Sequence, residues 1–253
     1  MDNDKYLLSS VDHTLSLVEL LAHHDEMTLA EIIRESGYDK SSTFRMLYTL
    51  VQNQFVEKTE DGHYKLGIKL LYYASKVLQR QDTLTIAKPF MKILSQQLNM
   101  PILFGQLSGN RILTIHIENE VSGPHVSGHM GMNASAHTTA MGRICLAFLD
   151  DDARSAVLDT LQFKRYSDHS VLSRQELEPV LSEVRGNGYA TDMDDRYPGF
   201  GSIAVPLRGF DGSSIAALGI VSTTAEISNR KEGLISAMKD TASRINEALG
   251  YRT

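Results

Sequence analysis

The sequence predicts an α+β chain made of an N-terminal winged helix-turn-helix, a linker helix, and a C-terminal domain built on a largely antiparallel sheet with helices outside it. Three observations predict this. Residues 28–67 read as helix, turn, helix and a two-stranded ribbon. Residues 68–81 carry an amphipathic helical pattern free of Pro and Gly. From Ile102 onward the apolar period shortens to that of strands separated by turns such as Ser108-Gly109-Asn110.

The first helix is expected over 10–24. Val11, Leu15, Val18 and Ala22 recur at helical spacing and Leu17, Leu20 and Leu21 widen the stripe, so this face is expected to meet a core. Thr28 opens the second helix: its hydroxyl can cap the backbone while Glu31, three residues later, reaches back to form a capping box. Leu29, Ile32 and Ile33 point inward, and Gly37 ends the helix through a left-handed turn. Asp39 caps the third helix, which should reach about Gln54. Phe44, Leu47, Leu50 and Val51 define its buried side, leaving Ser41, Arg45, Tyr48 and Gln52 on the opposite stripe.

Hydroxyls, an amide and a guanidinium suit hydrogen bonds to phosphates and base edges, and the Arg45 fork can bind guanine through two contacts. An ordinary solvated helix face carries the same pattern. The continuation favours DNA. Phe55 to Lys58, the turn Glu60-Asp61-Gly62 and a strand ending at Gly67 make a hairpin directly after a helix-turn-helix, which is a wing, and Lys58 and Lys65 would approach the backbone from it. The candidate DNA-contacting set is Thr28, Lys40, Ser41, Ser42, Thr43, Arg45, Tyr48, Lys58 and Lys65.

The net charge opposes DNA binding, but its distribution does not. The chain carries a net −6, and residues 1–81 hold 9 Lys+Arg against 12 Asp+Glu, a net −3. Residues 40–80 hold 7 against 3, a local +4, because most of the acids lie on the first two helices. Phosphates meet one face, not the average.

The second domain follows a further helix expected over 85–98. Strands are expected around 103–107, 112–117 and 125–129, then a helix from 137 through 148 and another from 150 to 161. Ser173 with Glu176 forms a second capping box, for a helix ending near Gly186 and Gly188. A strand at 189–191 leads into an acidic loop, strands 202–207 and 215–221 pair across the Asp211-Gly212 turn, and a last helix covers about 228–249. The expected domains are 1–67 for the winged helix-turn-helix, 68–84 for the linker helix and 85–253 for the sensing domain.

At 253 residues, 42% hydrophobic and 22% charged, the chain has the composition of a globular protein with room for two domains. It holds no apolar run long enough for a membrane span and no secretion signal pattern at its start, so no membrane partner and a cytoplasmic location are expected. The single cysteine, Cys145, excludes an intramolecular disulfide framework and sits in an apolar setting.

Two segments of the second domain can hold a small molecule. In Thr139-Ala140-Met141-Gly142 a glycine lies in the first turn of a helix, whose free N–H groups favour an anion such as a carboxylate. The polar loop from Asp192 to Ser202 joins two strands; Asp192 can accept hydrogen bonds and Ser202 can donate one. Most helix starts bind only water, and acidic loops often simply face solvent.

These features together resemble one family over nearly the full length. Lys40-Ser41-Ser42 with Arg45-Met46-Leu47, the wing ending Tyr64-Lys65-Leu66-Gly67, Ala140-Met141-Gly142-Arg143 with Leu146-Ala147, and Gly188-Tyr189-Ala190, Asp192, Pro198-Gly199 and Ile203-Ala204-Val205-Pro206 are similar to the IclR family of bacterial transcriptional regulators. The resemblance implies a winged helix-turn-helix, a linker helix and a GAF-like effector domain that binds a small organic acid, with dimers associating into tetramers on double-stranded operator DNA. It places the start of the recognition helix at Lys40, Ser41 and Ser42, with Arg45 beyond, and effector contacts at Ala140, Met141, Asp192 and Ser202. The chain departs from the family pattern at Ser42, usually Thr, at Arg143, usually Lys, and at Asp195, usually Glu. Gly201 and Ser202 stand where Arg and Cys are common. Residues 166–205 resemble the KdgR type, whose members respond to keto-deoxy sugar acids. The expectation is a repressor of a carbon-source catabolic operon.

An enzyme is the alternative. His125, His129 and His137 with Asp192, Asp194 and Asp195 can be drawn as the site of a metal-dependent hydrolase carrying an accessory DNA-binding domain. Gly123-Pro124, Gly128 and Gly131 argue for strand and turn there. No nucleophile elbow, P-loop, dinucleotide fingerprint or His-Glu-x-x-His pattern occurs, so no catalytic residue, metal or cofactor is expected.

Overall fold

A computed structural model describes residues 6–79, 82–122, 125, 128–209 and 214–251. The chain divides into two compact units, 1–81 and 82–253.

The first unit runs α1 (Ser9–Leu21), α2 (Leu29–Ser36), α3 (Lys40–Gln52), β1 (Val56–Lys58), β2 (Tyr64–Leu66) and α4 (Lys69–Gln79). Its core gathers Leu17 and Leu21 from α1, Ile32 from α2, Met46, Leu47 and Leu50 from α3, and Met27, Val56 and Tyr64. The Thr28 hydroxyl accepts the Glu31 N–H at 3.3 Å while the Glu31 carboxylate accepts the Thr28 N–H at 2.8 Å, so the expected capping box is formed. Those hydrogen bonds favour the charged carboxylate and hold the Glu31 pKa below its usual value. Gly37 ends α2 at φ 72°, and Asp39 caps α3 by accepting the Ser42 N–H at 2.9 Å. Backbone bonds of 2.9 and 2.7 Å between Met27 and Tyr64 tie the entry of α2 to the wing.

Two buried faces are rotated from the expected ones. On α1, Val11 and Leu15 are 51% and 63% exposed, because only the Leu17–Leu21 edge of its wide apolar stripe reaches the small core. On α3, Phe44 is 49% exposed and Thr43 is fully buried. The packed edge is Thr43, Met46, Leu47 and Leu50, a regular helical stripe one residue round from the expected one. Thr43 tolerates burial because its hydroxyl donates to the Asp39 carbonyl at 2.9 Å.

The second unit opens with α5 (Asp82–Leu98) and continues β3 (Ile102–Ser108), β4 (Arg111–Glu118), β5 (Asn133–Ser135), a 3-10 turn at Ala136–Thr138, α6 (Ala140–Ala147), α7 (Asp151–Asp159), α8 (Arg174–Asn187), β6 (Ala190–Met193), β7 (Phe200–Arg208), β8 (Ser214–Thr223) and α9 (Thr224–Ala248). The six strands form one sheet in the order β5-β4-β3-β8-β7-β6, every neighbour antiparallel. The expected strand at 125–129 is not found: residues 125, 128 and 129 lie outside strands, and 126–127 are outside the described residues. The edge position beside β4 is taken by β5 instead, fastened by Arg111, which donates to the Asn133 side chain and carbonyl, both at 2.7 Å. The expected Asp211-Gly212 turn also falls outside the described residues. At α8 the Ser173 hydroxyl accepts the Glu176 N–H, but the Glu176 carboxylate takes the N–H of Leu172 rather than that of Ser173, so the box closes one residue early.

α6 covers the sheet face that carries Leu103, Ile112, Ala190, Ala204 and Ala217, and α8 packs against α6 in the same core. Strand alternation then fixes the face of the polar pair expected at a site. Ala190 pairs with Ala204, and two residues along, Asp192 pairs with Ser202, so both lie on the α6 side. Glycines make room for α6: a Cβ on Gly219 would come within 2.6 Å of the Met141 side chain and one on Gly105 within 3.1 Å. Among the described residues no helix is long and apolar enough to cross a membrane.

Candidate DNA-reading face and effector site

In the first unit Lys40, Ser41, Ser42, Arg45 and Tyr48 are exposed on α3. Phe44 joins them, its ring stacked on Tyr48 at 6.4 Å between centroids, and pattern reading had placed it inside. Thr43 leaves the reading face: it is buried and its hydroxyl is used within α3. Thr28 is half-buried, and its side chain is occupied by Glu31, accepting from the backbone and donating to the carboxylate at 2.8 Å. It positions the helix-turn-helix rather than presenting a free hydroxyl. Lys58 is exposed on the wing with its ammonium 5.4 Å from the Tyr64 ring, and Lys65 is 3.6 Å from the Glu57 carboxylate. The exposed groups of α3 are bare donors and acceptors on a rigid helix, which is what recognition of a groove requires.

In the second unit the two candidate segments come together through a side chain that sequence reading treated only as a family departure. Arg143, in the first turn of α6, is buried. It donates to the His137 carbonyl at 3.1 Å, to the Thr191 carbonyl at 2.9 Å and to the Asp195 carboxylate, with which it forms an ion pair. Asp195 also accepts the Met193 N–H at 3.1 Å. One guanidinium thus links the start of α6 to β6 and to the acidic loop. The reciprocal changes at Arg143 and Asp195 are one pair, but 52 residues separate them and nothing local signals it.

Asp192 and Ser202, expected as the ends of a polar loop, lie instead on the paired strands β6 and β7, and the Ser202 hydroxyl donates to the Asp192 carboxylate at 2.7 Å. Burial pushes the Asp192 pKa up to about 6, the Ser202 hydrogen bond works against that, and the nearby Asp195 charge adds to it. At the helix start the Thr139 hydroxyl accepts the Gly142 N–H at 3.1 Å, so these two residues satisfy each other, and among the described residues the N–H groups of Ala140 and Met141 have no hydrogen-bond partner. A Cβ on Gly142 would run into the backbone of Ala136, which makes glycine the residue this approach allows.

His137, drawn from the sequence as a metal ligand, instead offers its carbonyl to Arg143. It is fully buried, with its ring 4.8 Å from Phe163, Nδ1 at 2.9 Å from the Ser135 hydroxyl, and Nε2 without a hydrogen-bond partner among the described residues. Burial, then repulsion from Arg143, lowers its pKa to about 4, so it is neutral at physiological pH. Cys145 is buried and its thiol is pushed up to about 12, so it is an inert core residue. A surface cavity of about 240 Å³ lined by Pro206, Arg208, Lys239 and Tyr251 lies apart from these residues.

The drawn metal site is not assembled. Among the described residues no group of three His, Cys, Asp or Glu side chains is placed to hold a metal ion. Asp195 is committed to Arg143 and Asp194 to the Gly199 N–H and the Thr224 hydroxyl, while His129 contacts the Met130 carbonyl.

Comparison with known proteins covers both units. Residues 10–60 match the IclR helix-turn-helix domain and residues 75–247 match the domain described as bacterial transcriptional regulator IclR C-terminal. The HTH-type transcriptional regulator KdgR of Dickeya chrysanthemi is 30% identical over 253 residues, spanning 99% of this chain and 83% of that protein. The crystal structure of an IclR transcriptional regulator from Alicyclobacillus acidocaldarius superposes with a TM-score of 0.81 at 25% identity, over 97% of this chain and 100% of that one. A homologue from Microbacterium hydrocarbonoxydans, crystallised in complex with 4-hydroxybenzoate, shares the fold with a TM-score of 0.75 at 21% identity, over 93% and 98% of the two chains.

Proposed function

The chain belongs to the IclR family of bacterial transcriptional regulators, and from that premise we propose that it represses a carbon-source catabolic operon and is gated by a small organic acid. Lys40, Ser41, Ser42, Arg45 and Tyr48 of α3 read the operator, with Lys58 and Lys65 of the wing on its phosphates. The acid binds where the start of α6 meets β6 and β7, its carboxylate at the N–H groups of Ala140 and Met141 and its polar body at Asp192 and Ser202. The observation that carries this reading is the Asp192–Ser202 pair, set on the α6 side of the sheet with a carboxyl whose charge burial disfavours. Near a pKa of 6 an incoming anion can keep that carboxyl protonated, so that it donates a hydrogen bond to the ligand. The complex of the Microbacterium homologue with 4-hydroxybenzoate supports a carboxylate as the ligand class. The similarity to KdgR supports a keto or sugar acid within it.

The protein acts in the cytoplasm as a dimer or tetramer of this chain. Effector binding shifts the population between two arrangements of the sensing units, and the linker of residues 68–84 carries the shift to paired recognition helices. Operator half-sites have fixed spacing, so a modest displacement changes affinity. Separation of function tests the reading. Asp192→Ala should leave operator affinity intact and blunt the response to acid. A variant whose response equals that of wild type would remove Asp192 from the site.

A further inference from the structure

Among the described residues, one cation in the acidic loop has no anion. Asp192 near the end of β6 and Asp194 and Asp195 in the loop after it all have committed carboxylates: to Ser202, to Gly199 and Thr224, and to Arg143. Arg196 follows directly and makes no hydrogen bond or ion pair to any described residue. Its guanidinium instead lies over two rings, 4.7 Å from the Tyr166 centroid and 5.2 Å from that of Tyr197. This arrangement is fixed. The Ser167 and Ser170 hydroxyls both donate to the Asp195 carbonyl, at 3.1 and 2.8 Å, and the Ser170 hydroxyl accepts the Tyr166 N–H, so the segment that carries Tyr166 is fastened beside Arg196.

A guanidinium stacked on aromatic faces keeps its in-plane N–H groups free, in the fork that matches a carboxylate. The position is next to the proposed effector site through covalent and hydrogen-bonded steps: Arg196 adjoins Asp195, Asp195 pairs with Arg143, and Arg143 lies in the first turn of α6 and binds the carbonyl next to Asp192. An independent observation points the same way. Among the described residues His137 Nε2 is buried without a partner, and an orphaned polar atom of this kind usually marks a group that a ligand or water completes. The Arg196 charge reaches it, as one of the causes that lower the His137 pKa.

We propose that Arg196, held by Tyr166 and Tyr197, is the specificity-determining cation of the sensing unit, binding an anionic group of the effector, and that His137 Nε2 supplies or accepts a further hydrogen bond to the same ligand. The proposal rests on the organic-acid reading of the site. It implies an effector with two polar ends, a carboxylate shared between Arg196 and the N–H groups of Ala140 and Met141, and a second polar end at Asp192 and Ser202. Sugar acids and hydroxylated aromatic acids have this form; the corresponding sugar alcohols and phenols lack the charge.

The test is calorimetric titration of the full-length protein with 2-keto-3-deoxygluconate, gluconate and 4-hydroxybenzoate, and with the uncharged glucitol and phenol. The proteins are wild type, Arg196→Gln, Arg196→Lys and Asp192→Ala. The expected result is that at least one acid binds wild type, that Arg196→Gln weakens it tenfold or more with thermal stability unchanged, that Arg196→Lys lies between, and that neither uncharged compound binds. An acid that binds Arg196→Gln as tightly as wild type, while Asp192→Ala loses it, overturns this proposal and leaves the site reading in place. Loss in Arg196→Gln with Asp192→Ala unaffected supports Arg196 and moves the pocket away from Asp192. Binding of no acid to wild type overturns both.

Discussion

The two units handle polar side chains in opposite ways. On α3 the groups proposed to act are exposed and spaced along one helix face, while at the α6 site Arg143 and Asp195 are buried, mutually paired and drawn from segments far apart in sequence. An exposed reading face supplies little to stability, so its substitution should change binding alone. A buried polar cluster holds the fold and the proposed site together, so its substitution should change both.

The largest effect should come from splitting the buried pair. Arg143→Met leaves the Asp195 charge without its partner and should cost about 3–5 kcal/mol in urea unfolding. Adding Asp195→Leu to the same chain should recover most of that loss; equal instability of single and double variants would show that the hydrogen bonds to His137 and Thr191, not the charge, are what Arg143 supplies.

The pH response should sharpen the contrast next. Asp192 titrates near 6 in the fold against 3.8 as its ordinary value, so the folded state is penalised as pH rises from about 4 to 6 and the penalty stays constant above. Asp192→Asn should therefore match wild type near pH 4 and exceed it by about 3 kcal/mol at pH 7. His137 has the opposite sign: its fold prefers the neutral ring, so its contribution is present above pH 6.5 and lost as pH falls towards 4. A stability difference between Asp192→Asn and wild type that does not vary with pH would mean that the carboxyl is solvated.

On the exposed side, Arg45→Ala should weaken operator binding by about 1–3 kcal/mol and leave unfolding midpoints and acid binding where they were. The smallest effect expected is that of Thr28→Ala, which removes the α2 cap, costs about 1 kcal/mol in stability, and lowers operator affinity only as far as α3 loses its support. A large affinity loss at full stability would return the Thr28 hydroxyl to the reading face.

The same contrast explains what could be read in advance. Local rules found the capping box at Thr28–Glu31, the Asp39 cap and the wing, because each depends on residues a few positions apart. Helix phase was read one residue off at Phe44 and Thr43, since a threonine that bonds its own turn can take a core position that hydrophobicity assigns to the aromatic ring. In the second unit the sequence points to both Asp192 and Ser202 but puts Asp192 in a loop, and its facing of Ser202 comes only with the β6–β7 register. Arg143 with Asp195, the buried His137 and the stacking of Arg196 on Tyr166 depend on sheet register and on a segment pinned from about thirty residues away, and no local pattern encodes them.

The most direct test of the central claim is operator binding measured by fluorescence anisotropy at a stated, fixed salt concentration, with the promoter region beside the protein's own gene and a series of keto and sugar acids. The account predicts tight binding that one acid shifts by tenfold or more in wild type and leaves unshifted in Asp192→Ala. Tight binding that no acid moves, or the same shift in both proteins, would contradict gating at the α6 site.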